Sequence, residues 1–294
     1  MPAKLRLGTR GSPLALAQAR MTADALVRAH GWDADAVEIV TIVTTGDRVQ
    51  DRPLAEIGGK ALWTKAIDAA LLAGEIDFGV HSLKDVETIR PDSIAIAACL
   101  PRADPRDRLI GAASLEDLKP GARLGTSSPR RAAQVLHLRP DLEIVPMRGN
   151  VATRITKVGT GEADATFLAA AGLDRLGEGG VGVAVPMDQM LPACGQAIVA
   201  IEARSSDAAT REALAAIGDD AAMTAALTER AFLAALGGGC HSPVGAHFVD
   251  GVLTGELLTE NGREAVRGAG DHPADLARQL LDRASAGLRA LFAG

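Results

Sequence analysis

Thr126-Ser127-Ser128-Pro129-Arg130-Arg131 puts three hydroxyls and two guanidinium groups within six residues. Ser128 followed by Pro129 is the favoured chemistry of a helix start, an N-cap residue and then proline at the first helical position. The free N–H groups of such a terminus make a ready anion site. Arg130 and Arg131 add planar forks that match carboxylates bidentately. The pattern recurs in part at Arg10-Gly11-Ser12-Pro13, and Arg148 stands beside Gly149 at another strand exit. Any one of these reads as ordinary capping. Their convergence points to a cleft for carboxylates or phosphates.

Two further features carry reactive groups. In His81-Ser82-Leu83-Lys84-Asp85, a short apolar strand runs directly into a Lys-Asp pair. Facing a basic cleft, Asp85 would stay an anion among cations; facing water, it would be a surface ion pair with Lys84. His81 has no second histidine nearby, so a hydrogen-bonded structural role is expected and a metal site is not. In Leu236-Gly237-Gly238-Gly239-Cys240 the glycines end a helix and turn the chain sharply. That turn offers the Cys240 sulfur to another group, although a lone cysteine otherwise reads as a small hydrophobe.

Charge sharpens this picture. Residues 119–157 hold eight basic side chains (Lys119, Arg123, Arg130, Arg131, Arg139, Arg148, Arg154 and Lys157) against Asp141 and Glu143, in a chain of net charge −6. A basic segment within an acidic chain is either a local site for a polyanionic small molecule or a solvated face.

The elements that position these groups alternate between strand and helix, the pattern of α/β sheets. Strands are expected at Lys4–Gly8, Val37–Thr44, Ile76–Val80, Ser93–Leu100, Arg123–Gly125, Leu142–Met147, Ala165–Leu168 and Val181–Val185. Helices start at Ser12-Pro13, near Trp63, at Ser128-Pro129 and at Val151. Ala197–Ala203 is a late strand with no helix partner, expected to cross back into the first unit. After residue 218 the character changes. A helix to Leu236 precedes three strands joined at Asp250-Gly251 and around Asn261-Gly262, the first a strong hairpin signal. One amphipathic helix, Pro273–Phe292, is expected to close this α+β domain.

Composition sets limits. With 294 residues there is room for two or three domains. No tyrosine and only two tryptophans exclude an aromatic platform for single-stranded nucleic acid. No apolar run is long enough for a membrane span, and the N-terminus leads into a strand pattern with no signal peptide's apolar core. Three cysteines without metal-ligand spacing suit a cytoplasmic protein with reduced thiols. Nucleotide-binding glycine motifs are absent from the sequence.

Taken in order, the segments resemble the porphobilinogen deaminase (hydroxymethylbilane synthase) family. They are Thr9-Arg10-Gly11-Ser12-Pro13-Leu14-Ala15-Leu16, Gly58-Gly59-Lys60, His81-Ser82-Leu83-Lys84-Asp85, Asp104-Pro105-Arg106-Asp107, Gly125-Thr126-Ser127-Ser128-Pro129-Arg130-Arg131, Arg148-Gly149-Asn150-Val151-Ala152-Thr153-Arg154, Ala171-Gly172-Leu173-Asp174-Arg175-Leu176 and Gly238-Gly239-Cys240. The resemblance implies two periplasmic-binding-protein-like lobes, residues 1–99 with 197–217 and residues 100–196. A C-terminal α+β domain, 218–294, would carry a dipyrromethane cofactor on Cys240 through a thioether. It implies condensation of four porphobilinogen molecules, with loss of ammonia, into linear hydroxymethylbilane. Asp85 would be the catalytic carboxylate. Lys84, Thr126, Ser127, Ser128, Arg130 and Arg131 would hold the cofactor, and Arg10, Ser12, Arg148, Arg154 and Arg175 the substrate. No metal, nucleic acid or membrane is implied, and a monomer is expected. Pro129, His241 and Trp63 depart from the family pattern, which has leucine, glutamine and phenylalanine there. The rival reading is a non-catalytic two-lobed anion-binding or effector-sensing protein, which leaves the glycine-cysteine loop unexplained.

Overall fold

The computed structural model describes residues 4–44, 64–237 and 242–292. The chain divides into two compact units, Met1–Ala103 with Ile198–Ala226, and Asp104–Ala197 with Leu227–Gly294. In chain order the first begins with β1 (Leu5–Thr9), α1 (Pro13–His30), β2 (Val37–Thr41), α2 (Lys65–Leu72) and β3 (Phe78–Ser82). A single 3-10 turn (Leu83–Asp85) and β4 (Ile94–Cys99) follow. The second unit opens with β5 (Asp107–Ile110), β6 (Arg123–Gly125), α3 (Pro129–Leu138), β7 (Glu143–Val145), α4 (Val151–Gly159), β8 (Ala165–Ala169), α5 (Ala170–Arg175) and β9 (Val183–Ala184). The chain then returns to the first unit as β10 (Val199–Arg204) and α6 (Ala208–Ala215), before α7 (Asp220–Ala235). It ends with β11 (Val244–Val249), β12 (Val252–Leu258), β13 (Ala265–Gly270), α8 (Pro273–Arg283) and α9 (Ala286–Ala290).

The two five-stranded sheets share one topology. Their orders are β2-β1-β3-β10-β4 and β7-β6-β8-β5-β9. In each, three parallel strands are followed by an antiparallel one, and that strand pairs on its other side with the last. The antiparallel strands are β5 and β10, the first strands after the first two passages of the chain between units. The orphan strand of the sequence crosses back into the first unit, as expected, and there lies between β3 and β4. Strands β11-β12-β13 form a separate antiparallel sheet, so the expected fold class is present.

Each sheet is held by its own apolar core. Leu7, Leu26, Phe78, Val199 and Ile201 are fully buried in the first, each worth about 1.5–3 kcal/mol relative to exposure. Leu124, Val135 and Phe167 anchor the second, and Phe232, Leu257 and Leu280 the antiparallel sheet. Local chemistry sets the helix starts: Ser12 accepts from the Ala15 N–H at 3.3 Å and Ser128 from the Arg131 N–H at 3.4 Å.

Three expectations are corrected. Residues 107–110, where no strand was expected, form β5. Helices α5 and α6 were not anticipated. The C-terminal helix is broken, because Ser285 is extended and caps a second helix by accepting from the Leu288 N–H. Glu264 holds the Ser285 N–H at 2.8 Å, which fixes the break.

Candidate active site

Arg10, Lys84 and Asp85 follow the carboxyl ends of β1 and β3, where open α/β sheets present ligand-binding residues. A recess in the first unit brings Arg10, Ser12 and Asp85 together with Gln18, Thr64, His81 and Ser82. Asp85 is exposed at the end of the 3-10 turn, and Lys84 is half-buried beside it. Ser82 is tied to helix α1, since Gln18 Nε2 donates to its Oγ at 2.9 Å. Thr64 occupies the N-cap of α2 but makes no side-chain cap bond. Its Oγ1 is buried without a hydrogen-bond partner.

His81 departs from its expected role. It is buried and lines the recess, but its Nε2 has no well-oriented hydrogen bond. The atom stands 3.4 Å from Glu202 Oε2, a contact set by distance and not by alignment. Gly79 makes room for it, because a Cβ there would sit 3.0 Å from that nitrogen. Burial pulls the imidazole pKa down to about 4, so His81 is neutral at pH 7 and the contact is not an ion pair. Glu202 is balanced instead by Arg90, whose Nε and Nη2 reach its two oxygens at 2.9 and 3.0 Å.

In the second unit, Thr126, Ser127 and Ser128 lead from β6 into α3. Ser127 is exposed and donates to the Met147 carbonyl at 3.0 Å. The Ser128 N–H donates to Thr126 Oγ1 at 3.1 Å. Arg130 and Arg131 are only 4% and 6% exposed, so this part of the basic segment is no solvated face. Both reach Asp107, Arg130 through Nη2 at 2.8 Å and Arg131 through Nε and Nη2 at 3.2 and 2.8 Å. Burial draws the Arg130 guanidinium below its ordinary pKa, while Asp107 opposes that shift. The outer basic residues do meet surface acids: Arg123 with Asp164, Arg139 with Asp141 and Lys157 with Glu162.

Arg148 and Arg154 flank the turn from β7 into α4, where Asn150 caps by accepting from the Thr153 N–H at 2.9 Å. Arg154 Nε donates to the Gly149 carbonyl at 2.9 Å. Arg175 ends α5 and donates from Nη2 to the Ala197 carbonyl at 2.6 Å. Burial lowers its pKa as well, and its Nε has no partner. Cys240, His241, Trp63 and Gly58-Gly59-Lys60 lie outside the described residues.

Sequence reasoning missed Gln18, Thr64, Asp107 and Gln196. A signal existed for Gln18, a polar residue in the buried stripe Ala19, Ala23 and Leu26 of α1. Among the described residues, no group of three or more His, Cys, Asp or Glu could hold a metal, and no helix is long and apolar enough to cross a membrane.

A family model described as "Porphobilinogen deaminase, dipyromethane cofactor binding domain" matches residues 5–212, and one described as "Porphobilinogen deaminase, C-terminal domain" matches residues 223–284. The porphobilinogen deaminase of Sphingopyxis alaskensis is 54% identical, over 98% of this chain and 96% of its own length. That of Paracoccus denitrificans is 50% identical over 96% and 95%, and that of Nitrobacter winogradskyi 48% over 98% and 96%. Among solved structures, an ABC transporter periplasmic substrate-binding protein from Coxiella burnetii is similar at 16% identity and a TM-score of 0.44, covering 76% of this chain and 96% of that one. On the family match and the near full-length relatives, the chain belongs to the porphobilinogen deaminase family, the transferases that build a tetrapyrrole from porphobilinogen with a dipyrromethane cofactor.

Proposed function

We propose that porphobilinogen reacts at the recess of Arg10, Ser12 and Asp85, and that the helix start at Ser128 holds carboxylates of the dipyrromethane. The observation that carries this reading is the meeting of the Arg10 cation, the Ser12 hydroxyl and the exposed Asp85 carboxylate in a single recess at strand ends. The donor set suits a carboxylate-rich group, since Thr126, Ser127, Ser128, Arg130 and Arg131 supply hydroxyl, backbone and guanidinium donors, and Arg130 Nε is buried without a partner. When bound, the dipyrromethane supplies the pyrrole carbon to which the first substrate unit is joined.

Cys240 is the attachment residue and Lys84 a further carboxylate partner. Arg10 and Ser12 hold a substrate carboxylate while the aminomethyl group leaves as ammonia. Loss of ammonia leaves a cationic azafulvene, and the Asp85 carboxylate stabilises that charge. Asp85 also accepts the proton released when the pyrrole carbon regains aromaticity. Arg148, Arg154 and Arg175 meet the carboxylates of added units, two per pyrrole, which is why many arginines serve instead of one clamp. Residues 1–99 with 197–217, 100–196 and 218–294 act as three functional domains. The protein works as a cytoplasmic monomer without nucleic acid, in keeping with its net charge of −6 and scarce aromatics.

Incubation of purified protein with porphobilinogen, followed by intact-mass spectrometry and peptide mapping, tests the reading. Hydroxymethylbilane and ammonia should form, and a dipyrromethane adduct should map to the Cys240 peptide. An unmodified chain with full activity would exclude Cys240.

A further inference from the structure

We infer that Asp107 is a positioning residue that fixes Arg130 and Arg131 in place to receive carboxylates, an inference that rests on the role proposed for those two arginines. Four donors converge on this one carboxylate. Oδ1 accepts from Arg131 Nη2 at 2.8 Å and Gln196 Nε2 at 2.8 Å. Oδ2 accepts from Arg130 Nη2 at 2.8 Å and Arg131 Nε at 3.2 Å. Asp107 is 2% exposed, so water does not compete for these positions.

The remaining donors show how little freedom the forks keep. Arg130 Nη1 donates to Gln134 Oε1 at 2.9 Å and to the Leu191 carbonyl at 2.7 Å. Arg131 Nη1 donates to the Phe167 carbonyl at 3.0 Å. Each fork is thus held on several sides, yet Arg130 Nε and the second hydrogens of Arg130 Nη2 and of both Arg131 Nη atoms remain for a ligand. One carboxylate facing two guanidinium groups also leaves positive charge in excess. Glu256, reached through Gln134 Nε2 at 2.7 Å, offsets it only at a remove.

Gln196 completes the arrangement. The same Nε2 that meets Asp107 donates to the Pro105 carbonyl at 2.7 Å. It therefore ties the segment entering this unit to the segment leaving it, with Asp107 between them. The next residue, Ala197, has a φ of 72°, a left-handed backbone that a side chain disfavours. Arg175 holds its carbonyl. Arginines fixed beforehand by this knot lose less freedom when a carboxylate arrives.

The test uses full-length chain produced without porphobilinogen and then titrated with it, covalent loading being read by intact mass and stability by melting temperature. Asp107→Asn keeps the volume and removes the charge. We expect its half-loading porphobilinogen concentration to rise about tenfold or more. Gln196→Met leaves every charge in place and guards against a failure of Asp107→Asn to fold; a rise of about threefold is expected. Lower melting temperature with unchanged half-loading in the folded variants would overturn the positioning role. Arg131→Lys separates the two levels of the claim. Normal half-loading there would overturn the assignment of Arg131 itself and this inference with it. A shift there, with none in Asp107→Asn or Gln196→Met, would overturn only the inference.

Discussion

The imidazole of His81 stands 3.4 Å from the carboxylate of Glu202, in the space left by Gly79. Register explains the contact, because Glu202 is paired directly with Gly79 across β3 and β10. Burial, the largest influence, favours the neutral ring. Asp68 and Asp85 push the other way, and Arg90 and Arg10 reinforce burial. The folded pKa of about 4 lies below the ordinary 6.5, so the unfolded chain binds more protons between these values. Stability from this group is present above pH 6.5 and is lost as pH falls towards 4, a change on the order of 3 kcal/mol. We expect the melting temperature to fall across that window, and His81→Asn to flatten the fall whatever its own stability at pH 7. A slope equal to wild type would show that His81 titrates normally.

Arg10→Gln should act on substrate affinity. Arg10 is half-buried at the recess with Ser12 and Asp85, and the change removes a cation while keeping polar reach. Truncating one partner of a desolvated charge pair costs about 2–5 kcal/mol, and partial exposure puts this one at the low end. KM for porphobilinogen should rise roughly thirtyfold by that conversion. An unchanged KM in steady-state assays would place substrate carboxylates elsewhere.

Glu229 of α7 offers a stability test away from the recess. It is fully buried and accepts from the Gly195 N–H at 2.7 Å and the Phe248 N–H at 2.8 Å. One carboxylate thereby fastens the returning segment and strand β11 to the same helix. Glu229→Gln keeps one acceptor and turns an N–H₂ towards the other donor. A loss of about 1–3 kcal/mol follows from the unsatisfied group, or roughly 2–5 °C in melting temperature for a protein of this size. A change under 1 °C in calorimetry would show that these bonds carry no net weight.

Short-range chemistry was legible in the sequence. Ser12-Pro13 and Ser128-Pro129 announced their helices because a cap and a proline act within one turn. Asp250-Gly251 announced its hairpin, and both residues have positive φ, 49° and 81°. Strand β5 was not legible: Asp-Arg-Leu-Ile does not alternate between polar and apolar, and it exists because β8 and β9 pair with it on both sides. Placing Arg10 and Asp85 at strand ends put them in the right neighbourhood. What stayed hidden was long-range pairing, above all Asp107 with Arg130 and Arg131, where nothing local signals which acid a buried arginine meets. That pairing changes how an alanine substitution there must be interpreted. Removing either arginine strips a buried carboxylate of a partner and costs stability as well as ligand binding.

Asp85 is the sharpest case, because its exposure separates chemistry from folding. It ends the 3-10 turn after β3 and faces the recess that also holds Arg10 and Ser12. An acid there opposes ground-state binding of a substrate bearing two carboxylates. Such a group is best rationalised by a transition state that it favours more than the ground state. Loss of ammonia creates positive charge on the substrate, and the later loss of a pyrrole proton needs a nearby base. One carboxylate would meet both needs. Asp85→Asn keeps the shape and removes only the charge and basicity. Turnover should fall at least about a hundredfold, the usual scale for losing such a group. Substrate affinity should hold or improve slightly, and melting temperature should shift by under about 1 °C, as surface substitutions usually cost within about 0.5 kcal/mol. Single-turnover kinetics on cofactor-loaded Asp85→Asn, alongside its melting curve, makes the comparison. Near-normal turnover, or a loss matched by unfolding, would return Asp85 to the surface and leave the charge of the reacting pyrrole to another group.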